Sequence, residues 1–201
     1  MKRLYTFVLI AAALLIAGCA NMPSSGWVTL IDGEKGLENF NRIGDANWRA
    51  EGGAIVADKG KGGHLVTKET YRNFKIYAEF WADHTTNSGI FFRAADPLKI
   101  GADSSYEANI YDRRPGQEYS TGAIVNFAQV KAPLPKAGGK WNTFEIYAYG
   151  PELTVKFNGD VTVSTSNTRY AAGPFSLQFA NGPKNAPGGA IKWRKVMIKP
   201  L

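Results

Sequence analysis

The stretch FKIYAEFWA, Phe74 to Ala82, decides the class of fold. Phe74, Ile76, Ala78 and Phe80 share one parity, and Lys75, Tyr77, Glu79 and Trp81 share the other. Successive side chains of a strand point to opposite faces, so this period of two predicts a half-buried antiparallel strand. The alternation returns in WNTFEIYAYG, where Phe144, Ile146 and Ala148 oppose Glu145, Tyr147 and Tyr149. It returns again in GPFSLQFANG, where Phe175, Leu177 and Phe179 oppose Ser176 and Gln178. Shorter runs predict strands at 28–31, 48–50, 54–57, 64–67, 88–93, 106–111, 122–126, 153–157, 161–164 and 191–199. In the last of these, Ile191 and Trp193 lie on one parity and Val196 and Ile198 on the other, which calls for a β-bulge near Arg194.

Turns separate these runs. Glu51-Gly52-Gly53 and Asn158-Gly159-Asp160 sit between alternating segments, and Asn-Gly readily takes the positive φ of a tight hairpin. Glycine and proline together number 32 of 201 residues, and no helical pattern is long enough for a βαβ crossover. Many short strands at close spacing predict a single all-β domain over 27–201, a sandwich or barrel. Segments 96–105 and 130–140 read as longer surface loops of the kind that rim sites.

The chain opens differently, as MKRLYTFVLIAAALLIAGC. Lys2 and Arg3 precede an apolar run from Leu4 to Ile16, and the small residues Ala17 and Gly18 precede Cys19. That is the layout of a secretory signal peptide. Its ending resembles a bacterial lipobox, which implies lipidation of Cys19, a lipid anchor in the membrane and a short tether over 20–26. Ala20 after the cysteine implies the outer membrane in a Gram-negative host. Cys19 is the one cysteine of the chain, so the domain is expected to hold together by packing without a disulfide. Removing Lys2 and Arg3 with the leader takes the formal charge from +7 to +5. The basic residues are scattered without a run or a recognisable motif, which argues against a nucleic-acid partner.

Seven blocks, in order over residues 27 to 201, resemble the bacterial 3-keto-disaccharide hydrolase domain family, long catalogued as a domain of unknown function. WVTLIDGEKGLENF is similar to the family's "LF(N/D)G…L..(W/F)", GGHLVTKETYRNFKIYAEFW to "GGG.L.T...Y.DF.L..EF", and NSGIFFR to its most diagnostic block. SYEANIYD resembles "YE.QI.D", and STGAIV resembles "TGA.Y". KWNTFEIYAYGPELTVKFNG resembles "EWN...I...G..LT.WLNG", and GPFSLQFANG with AIKWRKVMIKPL resembles "G.I.LQ.HG..V.FRNI.IK.L". The resemblance implies a concanavalin A-like jelly roll of two antiparallel sheets, with a concave inner sheet open to sugars. It also implies cleavage of 3-keto-glycosides and a place beside a separate sugar 3-dehydrogenase.

Parity sorts the side chains within such a fold. In NSGIFFR, Asn87, Gly89, Phe91 and Arg93 share one face, and Ile90 and Phe92 turn to the core. In SYEANIYD, Tyr106, Ala108 and Ile110 take the core face, leaving Glu107, Asn109 and Tyr111 with the Arg93 set. If these strands form the concave sheet, Arg93, Glu107, Asn109, Tyr111, Phe91 and Gln178 line the groove, and Gly89 leaves room for a close approach. Planar hydrogen-bonding groups beside aromatic faces suit a sugar. A plainer reading stays open, in which Arg93 and Glu107 form a cross-strand ion pair and Asn87 caps a turn. Tyr77, Trp81, Tyr147 and Tyr149 read as outer-sheet surface. His64, in a Gly-rich turn leading into a strand, and His84 read as surface residues, and no metal-ligand spacing links them to carboxylates. No nucleophile elbow, Cys–His pair or phosphate loop is present.

The chemistry implied by the family starts at the acidic C2 proton beside the 3-ketone. By resemblance, Glu107 is the base and Arg93 its electrostatic partner, with Asn87, Asn109, Gln178 and Asn181 on substrate hydroxyls and Phe91 and Tyr111 against the ring. A divalent cation would take Glu107 and Asp112 as carboxylate ligands. One departure matters. Where the family carries His-Gly after its "LQ" strand, this chain has Ala180-Asn181-Gly182, and Asn181 cannot shuttle a proton. Two further readings therefore stand beside the enzyme: a noncatalytic carbohydrate-binding module of the cell envelope, and a structural envelope lipoprotein.

Overall fold

The computed structural model describes residues 26–201, the side chain of Asn185 apart. The leader, Cys19 and residues 20–25 of the tether lie outside the described residues. All strand pairs within the two sheets are antiparallel. The larger sheet runs in the order β11 (Asp160–Ser166), β10 (Glu152–Phe157), β9 (Lys140–Tyr149), β6 (Phe74–Ala82), β13 (Ile191–Pro200), β4 (Ala54–Ala57), β3 (Arg49–Glu51), and β1 (Val28–Asp32) also pairs with β13. The smaller sheet runs β2 (Phe40–Gly44), β5 (Gly62–Thr67), β12 (Ser176–Ala180), β7 (Ser88–Phe92), β8 (Tyr106–Ile110). This is a jelly-roll sandwich, the fold the resemblance implies and one of the two architectures the alternation allows.

The opening stretch shows how the layers are held. β6 buries Phe74, Ile76, Ala78, Phe80 and Ala82 and leaves its other parity half-exposed or exposed. Facing them across the sandwich, Ile90 and Phe92 of β7, Tyr106 and Ala108 of β8 and Leu177 and Phe179 of β12 join the same core. Phe74 meets Phe92 edge-on at 6.1 Å between ring centroids. Burying an aromatic side chain of this size contributes about 2–3 kcal/mol. In β13 the register skips a residue between Trp193 and Lys195, so Trp193 and Val196 both turn inward. The bulge expected near Arg194 is present. The Asn158-Gly159 turn has φ of 52° and 91°, as the tight hairpin between β10 and β11 requires.

Two expectations about elements change. Segment 122–126 is not a full strand. Only Ile124 bridges to Ala108, although Asn109 N donates to Ala123 O and Val125 N to Glu107 O along the free edge of β8. Strand β2 is an addition, and it forms the edge beside β5.

Candidate functional site on the smaller sheet

Register places the outer face of the smaller sheet side chain by side chain. Asn41, Val66, Ser176, Phe91 and Glu107 lie opposite one another across β2, β5, β12, β7 and β8. The next row holds Ile43, His64 and Gln178, then Gly89 and Asn109. Asn87 and Ala180 bridge one step further along. The face is not uniformly open. Phe91, Glu107, Asn109 and Tyr111 are buried beneath the segment that follows β8, whereas His64 and Gln178 are half-buried and Asn41 is exposed. The result is a groove closed at the β8 end and open toward β5 and β2.

Glu107 sits at the closed end. A Cβ placed on Gly89 would lie 3.0 Å from Glu107 Oε1 and 3.2 Å from its Cγ, so the carboxyl leans into the space that the glycine leaves empty. It is only 7% exposed, and burial pushes its pKa up to about 7, against the opposing pull of the Arg114 guanidinium. The described structure gives its carboxyl no hydrogen-bond donor. Of the buried polar atoms without a partner among the described residues, Asn109 Oδ1 and Gln178 Oε1 belong to this face of the sheet and Tyr111 OH, Arg114 Nε and Ser120 Oγ to the segment after β8; Trp48 Nε1, Arg93 Nη2 and Trp193 Nε1 lie elsewhere. Buried polar groups in folded proteins are nearly always hydrogen-bonded, so the atoms of this face and segment, closed off from solvent, leave the covered end of the face with unspent hydrogen-bonding capacity. Asn109 is itself oriented, because its Nδ2 donates to Tyr119 O at 2.6 Å.

Arg93 lies elsewhere, which corrects the groove assignment. Its φ of 54° ends β7 and breaks the parity of NSGIFFR. The guanidinium is buried and donates to the main-chain oxygens of Arg72 and Gly150, each at 2.8 Å, and of Tyr170 at 3.4 Å. It also lies 6.0 Å from the Phe74 ring, against the core face of β6. Arg93 ties three loops together and makes no ion pair with Glu107. The cation whose charge reaches Glu107 is Arg114.

Asp112 is engaged too. Its carboxylate accepts from Thr121 Oγ1 at 2.6 Å, Ala137 N at 3.0 Å and Gly138 N at 2.9 Å, clamping the segment that covers Glu107 to the loop before β9. No group of three or more His, Cys, Asp or Glu that could hold a metal occurs among the described residues. Those three donors already occupy the Asp112 carboxylate, which fits poorly the divalent cation that Glu107 and Asp112 were expected to share. Asn87 donates from Nδ2 to Asn181 O at 2.6 Å, so it pins the end of β12, and Asn181 remains half-buried at the groove's rim.

Two residues of the groove escape a reading by sequence. His64 is not a surface residue of a turn. It lies in β5 opposite Gln178, with Nδ1 3.1 Å from Ser176 Oγ and its ring edge-on to Phe91 at 5.2 Å between centroids. Burial lowers its pKa to about 4, so the imidazole is neutral at pH 7. The parity of HLVT against SLQFA is the signal that could have found it. Arg114 lies in the polar run YDRRPG, where nothing but its charge distinguishes it from a turn residue. Tyr77, Trp81, Tyr147 and Tyr149 lie on the outer face of the larger sheet, away from this groove; Tyr147 stacks on Tyr149, and Tyr77 OH donates to Glu79 Oε1 at 2.8 Å.

Comparison with known proteins follows this geometry. The sequence pattern of the 3-keto-alpha-glucoside-1,2-lyase-like domain matches residues 26–199. A crystal structure from Parabacteroides distasonis, provisionally named a glycosyl hydrolase, superposes with a TM-score of 0.69 at 23% identity, covering 87% of this chain and 99% of that one. A second protein of that organism with the same provisional name has a TM-score of 0.66 at 17% identity, covering 88% of each chain. The carbohydrate-binding module CBM66 of Bacillus subtilis has a TM-score of 0.59 at 12% identity, covering 87% of this chain and 95% of that one. A search among curated proteins finds no match.

Proposed function

Since the chain belongs to the 3-keto-alpha-glucoside-1,2-lyase-like domain family and its function is carbohydrate-related, we propose that it cleaves 3-keto-glycosides in the groove of the smaller sheet, with Glu107 as the base. The observation that carries this reading is the Glu107 carboxyl, buried, unpartnered and raised to about 7, at the closed end of the groove. A proton-transfer group works best when its pKa lies near the working pH. Glu107 takes the C2 proton, and the C–H electron pair moves toward the C3 carbonyl oxygen. Arg114 supplies the opposing charge for the enediolate, in place of the expected Arg93. The charge then returns, the C1–O bond breaks, the leaving oxygen takes a proton from water, and the hydroxide so formed takes the proton from Glu107 and restores the base. A second water adds across the C1–C2 double bond, so the sum is hydrolysis. Half-buried Gln178 and Asn181 meet sugar hydroxyls at the open side, while Asn109, Tyr111 and Phe91, buried behind them, form the wall of the site.

The substrate must come from a reaction that oxidises a glycoside at C3, the work of a sugar 3-dehydrogenase. We place the protein at the cell envelope, lipid-anchored through Cys19 and outer-membrane in a Gram-negative host. Loss of incorporated radiolabelled palmitate in Cys19→Ala cells tests that placement. For the chemistry, the chain is incubated with methyl and p-nitrophenyl 3-keto-glucosides. Release of 3-keto-glucose, lost in Glu107→Gln while substrate binding persists, is the expected result. Saturable binding without release in the wild type overturns the enzyme and leaves a carbohydrate-binding module.

A further inference from the structure

The groove is asymmetric, and its open end holds a histidine that the chemistry above does not use. We infer that His64, oriented by Ser176, forms the leaving-group subsite and donates a hydrogen bond from Nε2 to the departing glycosidic oxygen. The inference rests on the proposed elimination and assigns the other half of its substrate.

Three observations carry it. First, Ser176 is fully buried, and its hydroxyl lies 3.1 Å from His64 Nδ1. If that hydroxyl donates, Nδ1 is the acceptor and the ring proton sits on Nε2, for which the described residues provide no partner. Second, both ends of the groove lean toward its middle. The Glu107 carboxyl fills the space over Gly89, while the His64 ring reaches edge-on to Phe91 on the same strand as Gly89. β5 and β7 are two strand spacings apart, or about 10 Å between backbones. Both side chains therefore lean over β7 from opposite sides, and a substrate lying across that strand meets the two of them. Third, burial falls from Glu107 to the half-buried His64 and onward to exposed Asn41. The oxidised unit therefore occupies the closed end, and a leaving group of variable size extends over His64 toward solvent. The substrate class is a 3-keto-glycoside with an extended hydroxyl-bearing leaving group, such as a disaccharide.

His64 donates as the neutral imidazole and does not transfer its proton. The leaving oxygen still takes a proton from water, so the balance of the reaction is unchanged. A neutral donor is consistent with a ring that stays uncharged well below pH 7.

The test is leaving-group dependence. Full-length wild type, His64→Ala and His64→Gln are compared on methyl and p-nitrophenyl 3-keto-glucosides, with Glu107→Gln alongside. A methoxide leaving group needs the hydrogen bond and a nitrophenolate scarcely does. His64→Ala is expected to lower kcat on the methyl glycoside by about 100-fold or more, comparable to loss of an oxyanion donor, and on the nitrophenyl glycoside by under fivefold. His64→Gln, whose amide can donate from a similar position, recovers part of the loss. Equal losses on both substrates, or no loss on either, overturn the assignment of His64 while leaving Glu107 standing. Wild type that turns over neither substrate overturns the elimination itself, and the subsite with it.

Discussion

Gly89→Ala separates the placement of Glu107 from the stability of the sheet. Gly89 does not need a left-handed backbone, so alanine is conformationally allowed there. Its Cβ would meet Glu107 Oε1 at 3.0 Å, Glu107 Cγ at 3.2 Å and Ala108 O at 3.1 Å. The Ala108 contact belongs to the paired strand and yields little, whereas the carboxyl is the end of a side chain and retreats. Replacing glycine stabilises by about 0.4–1 kcal/mol through the unfolded chain, and tight overpacking costs about 1–3 kcal/mol. The net loss is therefore about 0–2.5 kcal/mol, or a fall in melting temperature of up to about 10 °C at 2–4 °C per kcal/mol. Catalysis is far less tolerant, because displacing a reacting group by about 1 Å costs on the order of 100-fold. The variant should stay folded with native circular dichroism and lose about 100-fold in kcat on methyl 3-keto-glucoside. Its Glu107 pKa, followed by carbon NMR of a labelled carboxyl, should move from about 7 as the side chain leaves its hollow. Turnover within threefold of wild type, with the Glu107 titration unmoved, would refute the reasoning.

Glu107→Gln should raise the melting temperature at pH 8 but not at pH 4. The folded pKa of about 7 exceeds the ordinary 4.5, so the wild-type contribution is fully present below 4.5 and lost as pH rises through 7. At 1.36 kcal/mol per pH unit the loss is about 3 kcal/mol, so Gln should gain about 6–12 °C at pH 8; an equal gain at pH 4 would contradict this. Arg93→Met should cost about 3–5 kcal/mol in chemical denaturation, because three loop carbonyls lose a buried charged donor, while sugar affinity of the folded protein holds within about threefold. A stable variant with abolished sugar binding would return Arg93 to the groove. EDTA should leave the melting temperature unchanged, given how the Asp112 carboxylate is occupied. A rise of several degrees on adding calcium or magnesium would reveal a cation cage.

What was legible in the sequence is what parity controls. FKIYAEFWA coincides with β6 from end to end because its two faces meet different media, and the phase change in the last strand revealed its bulge. Strand β2 was invisible for the opposite reason. FNRIG is an edge strand exposed at Asn41, Arg42 and Gly44, so its sequence carries little alternation. Arg93 misled because parity was counted one residue too far, through a left-handed φ that a non-glycine residue seldom adopts. The glycines before His64 misled differently. They looked like a turn, yet a Cβ on Gly63 would lie 2.6 Å from Ile43 O, so that glycine is needed where β2 and β5 approach within the sheet.

The chemistry of the groove depends on something parity does not encode. Alternation puts Glu107 on the outer face of a sheet, and an outer face is ordinarily wet. A wet carboxyl stays near its ordinary pKa and is ionised at pH 7. What changes Glu107 is the covering segment after β8, folded back by the bonds of Asn109 to Tyr119, Gly122 and Ala123 and of Asp112 to Thr121, Ala137 and Gly138. Over residues 112–121 the sequence shows only loop composition. The same cover brings Arg114 to the carboxyl and stops short of His64, and this one boundary divides the groove into a closed half and an open half. A base of pKa about 7 and a solvent-facing leaving-group end thus have a single structural cause, the length of sheet that the segment covers. Substitutions that loosen its anchors, Asp112→Ala above all, should lower the Glu107 pKa toward 4.5 by rehydrating the carboxyl, while the His64 end of the groove stays as it is.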